Sequence, residues 1–231
     1  MSKKTIICFP HQPSLIGGPG TFQKNIESFL VKNEFKVIYP NSDLKPDLIM
    51  VVAGTRKIFW LLLMKFKGVK ILHRLDGMNW KYKFEKGTIL SKYKQIFQNF
   101  LIYLIRNYLA DHIIYQSHFV ESWWIKKYGK KSNSSIIING SSFYEEFQEQ
   151  PYPQEEIVLT CVEGTIQSDN VTTAILHKLD ENFRSMMGIG SIEIFGNNSQ
   201  LKNLSTFRNI NFVGSMKRDD MRDILKRKKR I

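Results

Sequence analysis

A chain of 231 residues with 42% hydrophobic and 24% charged side chains has enough apolar material for a sizeable core and suits one large or two small domains. No apolar run approaches the roughly 18 residues of a spanning helix. The first ten residues lack a signal-peptide pattern, and two cysteines make neither a disulfide framework nor a metal site, so a cytoplasmic protein with buried, reduced Cys8 and Cys161 is expected.

The net charge of +13 is uneven: residues 1–150 carry 22 Lys and Arg against 11 Asp and Glu, residues 151–231 carry 12 against 10. A basic front half implies an anionic partner, whether phospholipid, phosphorylated substrate or nucleic acid.

In chain order, Ile6-Ile7-Cys8-Phe9-Pro10 reads as a strand and Ile16 to Phe22, with Gly17, Gly18 and Gly20, as a glycine turn. Phe22, Ile26, Phe29 and Leu30 then recur at helical spacing. Such a loop lets backbone approach a ligand, and the helix N-terminus behind it favours phosphate or another anion. A plain strand-to-helix turn explains it equally well, because Gln23 stands where G-x-G-x-x-G needs its third glycine. On the ligand reading, Gly20→Val abolishes binding and changes stability by roughly 1 kcal/mol or less.

Further strands are predicted at 36–39, 47–53, 69–73, 112–117 and 135–140, with helices at 58–67, 89–111 and 120–128. Residues 47–53 are apolar throughout, as in a parallel strand buried on both faces. The 89–111 helix carries one long apolar stripe, preceded by interleaved aromatics and lysines from Trp80 to Lys86. It is either a core-packed crossover helix or a patch for an anionic membrane surface. After a polar, proline-broken stretch, strands at 157–162, 191–195 and 210–213 alternate with a helix at 171–183, and a short charged helix starts at Asp219.

The five histidines are scattered without metal spacing, and no Asp-x-Asp or Gly-x-Ser-x-Gly occurs. His73-Arg74-Leu75-Asp76-Gly77 ends a buried strand at its carboxyl end, where open parallel sheets bind ligands. A histidine, a guanidinium and a carboxylate there suit a sugar or a phosphate, or else form a strand-end salt bridge beside a packed imidazole. Glu163-Gly164-Thr165 opens a second glycine loop, and loops at Gly196 and Gly214 follow the next two strands, which together would make a nucleotide-diphosphate cradle. No helix-turn-helix, zinc or RNP pattern is present, so nucleic acid is not expected as a partner.

IGGPGTF at the front, ADHIIYQSHFVESWWIKKYG followed by SSIIINGSS, then IEIFGNN and INFVGSMKRDDM, together resemble the GT-B-fold glycosyltransferases of family 4. The resemblance implies an α/β, GT-B-like fold of two Rossmann-like domains: an acceptor-type domain over 1–145, a linker over 146–156, and a partial donor domain over 157–231. It implies retaining transfer from a nucleotide sugar to a glycan or lipid-linked acceptor, in cell-surface polysaccharide synthesis at the inner membrane face, with no metal. It places His73 and Asp76 in the catalytic role. Gly17, Gly18, Gly20, Arg74, Gly164, Thr165, Gly196 and Gly214 fall to donor and phosphate binding. The 163–170 loop has no Arg or Lys, so Lys217 or Arg218 would take the diphosphate charge. The family's E-x7-E carboxylates follow the fourth strand of the second domain, and this sequence reaches Ile231 before such a strand, so the second domain is expected to be incomplete. The alternative is an inactive fragment that binds acceptor or pairs with a separate chain supplying the remainder.

Overall fold

The computed structural model describes residues 4–14, 18–80, 89–140, 157–166, 170–185, 189–201, 204–216, 220–221 and 223–224. The expected linker, Gly17, Lys217 and Arg218 lie outside the described residues. Residues 4–140 and 157–224 form two compact units.

In the first unit the strands are β1 (Ile6–Cys8), β2 (Lys36–Ile38), β3 (Leu48–Val52), β4 (Lys70–Leu75), β5 (His112–Tyr115) and β6 (Ser134–Ile136). They form one sheet in the order β2-β1-β3-β4-β5-β6, and every pairing is parallel. The helices are α1 (Gly18–Lys32), α2 (Ile58–Phe66), α3 (Ile89–Leu104) and α4 (His118–Tyr128).

Because β3 is central and apolar along its length, it buries both faces: Ile49 and Val51 join one core cluster, Met50 and Val52 the other. Leu30 of α1 belongs to the Met50 cluster, with Phe22 and Ile26 packed against it. Leu61 of α2 packs with Ile49, while Val120 and Trp124 of α4 pack with Leu75, against which Ile102 of α3 also rests. Thus α1 covers one face and α2, α3 and α4 cover the other.

Beyond Leu104 the helix widens into a π turn, Ile105–Leu109, closed by the Ala110 N–H donating to the Ile105 carbonyl at 2.8 Å. The turn carries the buried Arg106, whose guanidinium donates to the Tyr115 hydroxyl, the Asn107 side-chain oxygen and the Gly129 carbonyl. Neutral acceptors therefore satisfy this buried cation. The 89–111 periodicity was visible in the sequence; the widening was not, because apolar spacing is insensitive to one extra residue per turn.

The second unit contains β7 (Ile157–Thr165), α5 (Asn170–Asn182), β8 (Ile189–Asn197) and β9 (Ile210–Gly214), with a parallel sheet in the order β7-β8-β9. Its core gathers Ile166, Leu176, Ile192, Ile194, Phe207 and Ile210. Both cysteines are free, but only Cys8 is buried; Cys161 is exposed, contrary to expectation, because β7 pairs on one side alone and residues 161–163 are uncovered. Among the described residues no helix is long and apolar enough to cross a membrane.

Candidate functional site

The strand order reverses at β1: the chain leaves it for β2 on one side and returns to β3 on the other. Crevices at such switch points, outside the carboxyl ends of the strands, are where open α/β sheets bind ligands. A cavity of about 580 Å³ lies there. His11 follows β1 and Pro19 lies in the first turn of α1; Ala53 to Lys57 follow β3; Asp76, Gly77 and Asn79 follow β4; Gln98, Leu101 and Ile102 come from α3. One rim is basic, with Arg56 and Lys57 beside His11, whose pKa is lowered by burial and then by Lys57, and the other carries a carboxylate and two amides, Asp76, Asn79 and Gln98.

Arg74 is 2% exposed and is the centre of the polar network below the cavity. Its guanidinium donates to Asp76 Oδ1, to Gln116 Oε1 at 2.8 Å and to Asn139 Oδ1 at 2.8 Å, and it lies 3.8 Å from the centroid of the Phe22 ring. Residues from the ends of β4, β5 and β6 are thus tied to α1. Asp76 Oδ2 is buried and has no hydrogen-bond partner. Burial raises the Asp76 pKa, and the charge and hydrogen bond of Arg74 oppose that shift. The result is a carboxylate with one oxygen anchored by Arg74 and the other buried without a partner, on a residue that lines the cavity.

His73 is wholly buried and does not line the cavity. Strand alternation turns it to the α2–α4 face, opposite Arg74, and its Nε2 lies 2.7 Å from the Ala53 carbonyl oxygen. A carbonyl only accepts, so Nε2 carries the proton. Ala53 sits at φ 58°, a left-handed conformation that costs a non-glycine residue roughly 1–2 kcal/mol. His73 and the Arg74 carbonyl, which accepts from the Ala53 N–H at 2.9 Å, hold that turn in place. The imidazole therefore supports the Ala53–Lys57 wall from behind.

The expected glycine turn is in fact the first turn of α1, which begins at Gly18. A Cβ on Gly18 would meet nothing, whereas one on Gly20 would lie 2.3 Å from the Ser14 carbonyl oxygen. Gly20 lets the 11–14 segment close onto the helix. Gln23, in the place of a third glycine, is buried and donates to the His11 carbonyl at 2.7 Å and to Glu27 at 2.8 Å. The glycine and the glutamine shape the protein's own backbone around the cavity. Gly20→Val is accordingly expected to lose about 1–3 kcal/mol by overpacking, not to leave stability intact. Urea unfolding followed by tryptophan fluorescence reads this unit alone, because Trp60, Trp80, Trp123 and Trp124 all lie in it.

In the second unit, Gly164 and Thr165 belong to β7 rather than to a loop, and Gly196 to β8; Gly214 ends β9. All four lie at the carboxyl edge of the three-stranded sheet. Gly196 adopts φ 152°, and a Cβ there would stand 2.3 Å from the Glu163 carbonyl oxygen. This glycine therefore permits the close approach of β8 to β7 at the register shift between Val162 and Thr165.

Arg56, Lys57, His11, Asn79 and Gln98 were not singled out from the sequence. Ala53-Gly54-Thr55 after an apolar strand was the available signal for the first two. Asn79 and Gln98 meet because the buried Asn99 accepts from the Asn79 backbone N–H at 2.9 Å and donates to its carbonyl at 2.8 Å, drawing the loop onto α3. Among the described residues no group of three or more His, Cys, Asp or Glu side chains is placed to hold a metal ion.

No protein-family model matches the chain, and no curated sequence matches it. Solved structures do match its fold. The apo form of the lipopolysaccharide outer core galactosyltransferase WaaB superposes with a TM-score of 0.60 at 11% identity, over 98% of this chain and 71% of that one. Anabaena HepE in complex with UDP-glucose superposes with a TM-score of 0.54 at 13% identity, over 92% of this chain and 69% of that one. The chain is an α/β protein with the parallel-sheet, GT-B-like fold of these structures.

Proposed function

We propose that the protein transfers a sugar from a nucleotide-sugar donor to a glycan or lipid-linked acceptor, in the building of a cell-surface polysaccharide. The observation that carries this reading is the switch-point cavity lined by Asp76, whose carboxylate Arg74 anchors, in a chain with the fold of a galactosyltransferase.

On this reading the first-unit cavity takes the acceptor. The Asp76 carboxylate accepts a hydrogen bond from an acceptor hydroxyl, the Asn79 and Gln98 amides orient neighbouring hydroxyls, and Arg56 and Lys57 meet an anionic group at the opposite rim. Arg74 fixes the Asp76 carboxylate and does not itself touch substrate. His73 positions the Ala53 turn. The donor nucleotide binds at the carboxyl edge of the second sheet, at Gly164, Thr165, Gly196 and Gly214, with Lys217 and Arg218 supplying the charge for its diphosphate. The chemistry uses no metal, so a chelator leaves transfer unchanged.

Calorimetric titration with a panel of nucleotide sugars, paired with an assay for nucleoside diphosphate release on candidate acceptors, tests the reading. Asp76→Asn is expected to lower transfer by about 100-fold or more, the usual scale for a group that handles a proton of the reacting centre, while donor binding stays unchanged. A chain that binds no nucleotide sugar sinks the proposal. Binding without turnover by the wild type on any acceptor favours the partner-subunit alternative.

A further inference from the structure

We infer that the outer face of the α2–α3–α4 layer is a docking surface for an anionic lipid bilayer. Helix α3 and its π turn span 21 residues, about 30 Å, whereas the strands of this sheet have at most six residues, about 20 Å. Ile105 and Leu109, at the far end, pack in the core. Because α3 joins parallel strands, it runs opposite to them, and its first part extends past their carboxyl ends. That part is apolar and uncovered: Leu90 is 80% exposed and Tyr93 66%, with Ile89 and Phe97 also open. On α2, Phe59 and Phe66 are 82% and 81% exposed. Soluble proteins expose single apolar side chains freely, but not aromatic and aliphatic side chains clustered along helices of one layer.

The charge around these side chains selects the occupant. Residues 48–75 contain six Lys and Arg and no acid, and residues 86–110 contain no acid either. Lys67, Lys94, Lys126 and Lys127 are exposed on or beside the three helices. An anionic leaflet supplies both what the lysines and what the rings require: phosphate headgroups, and an interface a few ångströms deep for aromatic side chains. A second copy of the chain does not, since a two-fold interface would set basic face against basic face. The inference stands on this surface alone, independently of what the cavity binds.

Co-sedimentation of the full chain with phosphatidylcholine vesicles, with and without phosphatidylglycerol, tests it. Partition onto the anionic vesicles is expected to exceed that onto neutral ones by at least tenfold and to fall as salt rises. The pairs Phe59→Ser with Phe66→Ser, and Tyr93→Ser with Phe97→Ser, should each lower it at least tenfold. So should Lys92→Glu with Lys94→Glu, which leaves the apolar side chains in place, whereas Ile175→Ser, at a site in the second unit as exposed as Phe97, should not. Tryptophan fluorescence confirms that each variant is folded. Equal partition onto the two vesicle types overturns the inference. So does a dimer that the serine variants dissociate while vesicle binding is unchanged, which would assign the face to protein.

Discussion

Arg74→Met is expected to destabilise the first unit by about 3–5 kcal/mol, the range for removing one partner of a buried ion pair. The guanidinium satisfies three oxygens at once, on Asp76, Gln116 and Asn139, and covers the Phe22 ring. Methionine approximates its apolar stem but none of these bonds. Asp76, whose pKa burial already raises, would lose the positive charge opposing that shift and be left as a buried carboxyl group without its partner. The loss should shrink when the orphaned carboxyl group is also removed, because a buried polar group left without its partner is what costs most. Arg74→Met with Asp76→Leu is therefore expected to recover a large share of the stability, and the two single variants should be far from additive. Denaturant titration by tryptophan fluorescence measures all four proteins on the same unit. A loss under about 1 kcal/mol for Arg74→Met would give the pair the weight of an exposed surface bridge and place the guanidinium in solvent.

The fold was legible wherever apolar runs announced strands. Ile6–Cys8, Leu48–Val52 and Ile210–Gly214 fall within a residue or two of where their composition puts them. Sheet order was not legible, because a parallel pairing leaves no trace in either strand's local pattern. Without that order, nothing marked the ends of β1 and β3 as neighbours, so Arg56 and Lys57 were not singled out and His11 stood as one of five scattered histidines. The glycines are ambiguous for a related reason. Gly20 and Gly196 each admit a piece of the chain's own backbone, Ser14 in one case and Glu163 in the other. A glycine making room for a carbonyl reads in sequence just as one making room for a phosphate does. His73, Arg74 and Asp76 were found together, because they stand within four residues at the end of a buried strand. Their division of labour, with His73 on one face of the sheet and Arg74 on the other, follows from strand alternation once the layers are known.

The stability of the first unit should fall by up to about 3 kcal/mol as pH drops from 6.5 to 4 because of His73 alone, at 1.36 kcal/mol for each pKa unit. Burial, with the charge of Arg106 acting in the same direction and the hydrogen bond to Ala53 opposing it, lowers the His73 pKa from 6.5 to about 4. The folded state therefore binds fewer protons than the unfolded state throughout that interval. The contribution is fully present above pH 6.5 and is lost progressively as pH falls toward 4. Geometry accounts for the direction: Nε2–H is already committed to the Ala53 carbonyl, and the buried Nδ1 has no hydrogen-bond partner to receive a second proton's bond. Glutamine can keep a donor near Ala53 but cannot titrate. His73→Gln should consequently show a shallower decline between pH 6.5 and 4, while contributions from His11 and Asp76 cancel in the difference between the two proteins. Urea midpoints measured across this range by tryptophan fluorescence give that difference directly. Parallel curves for wild type and His73→Gln would mean that the imidazole titrates as it does in water, and the support it gives to the Ala53 turn, and through it to the basic wall of the cavity, would have to be withdrawn.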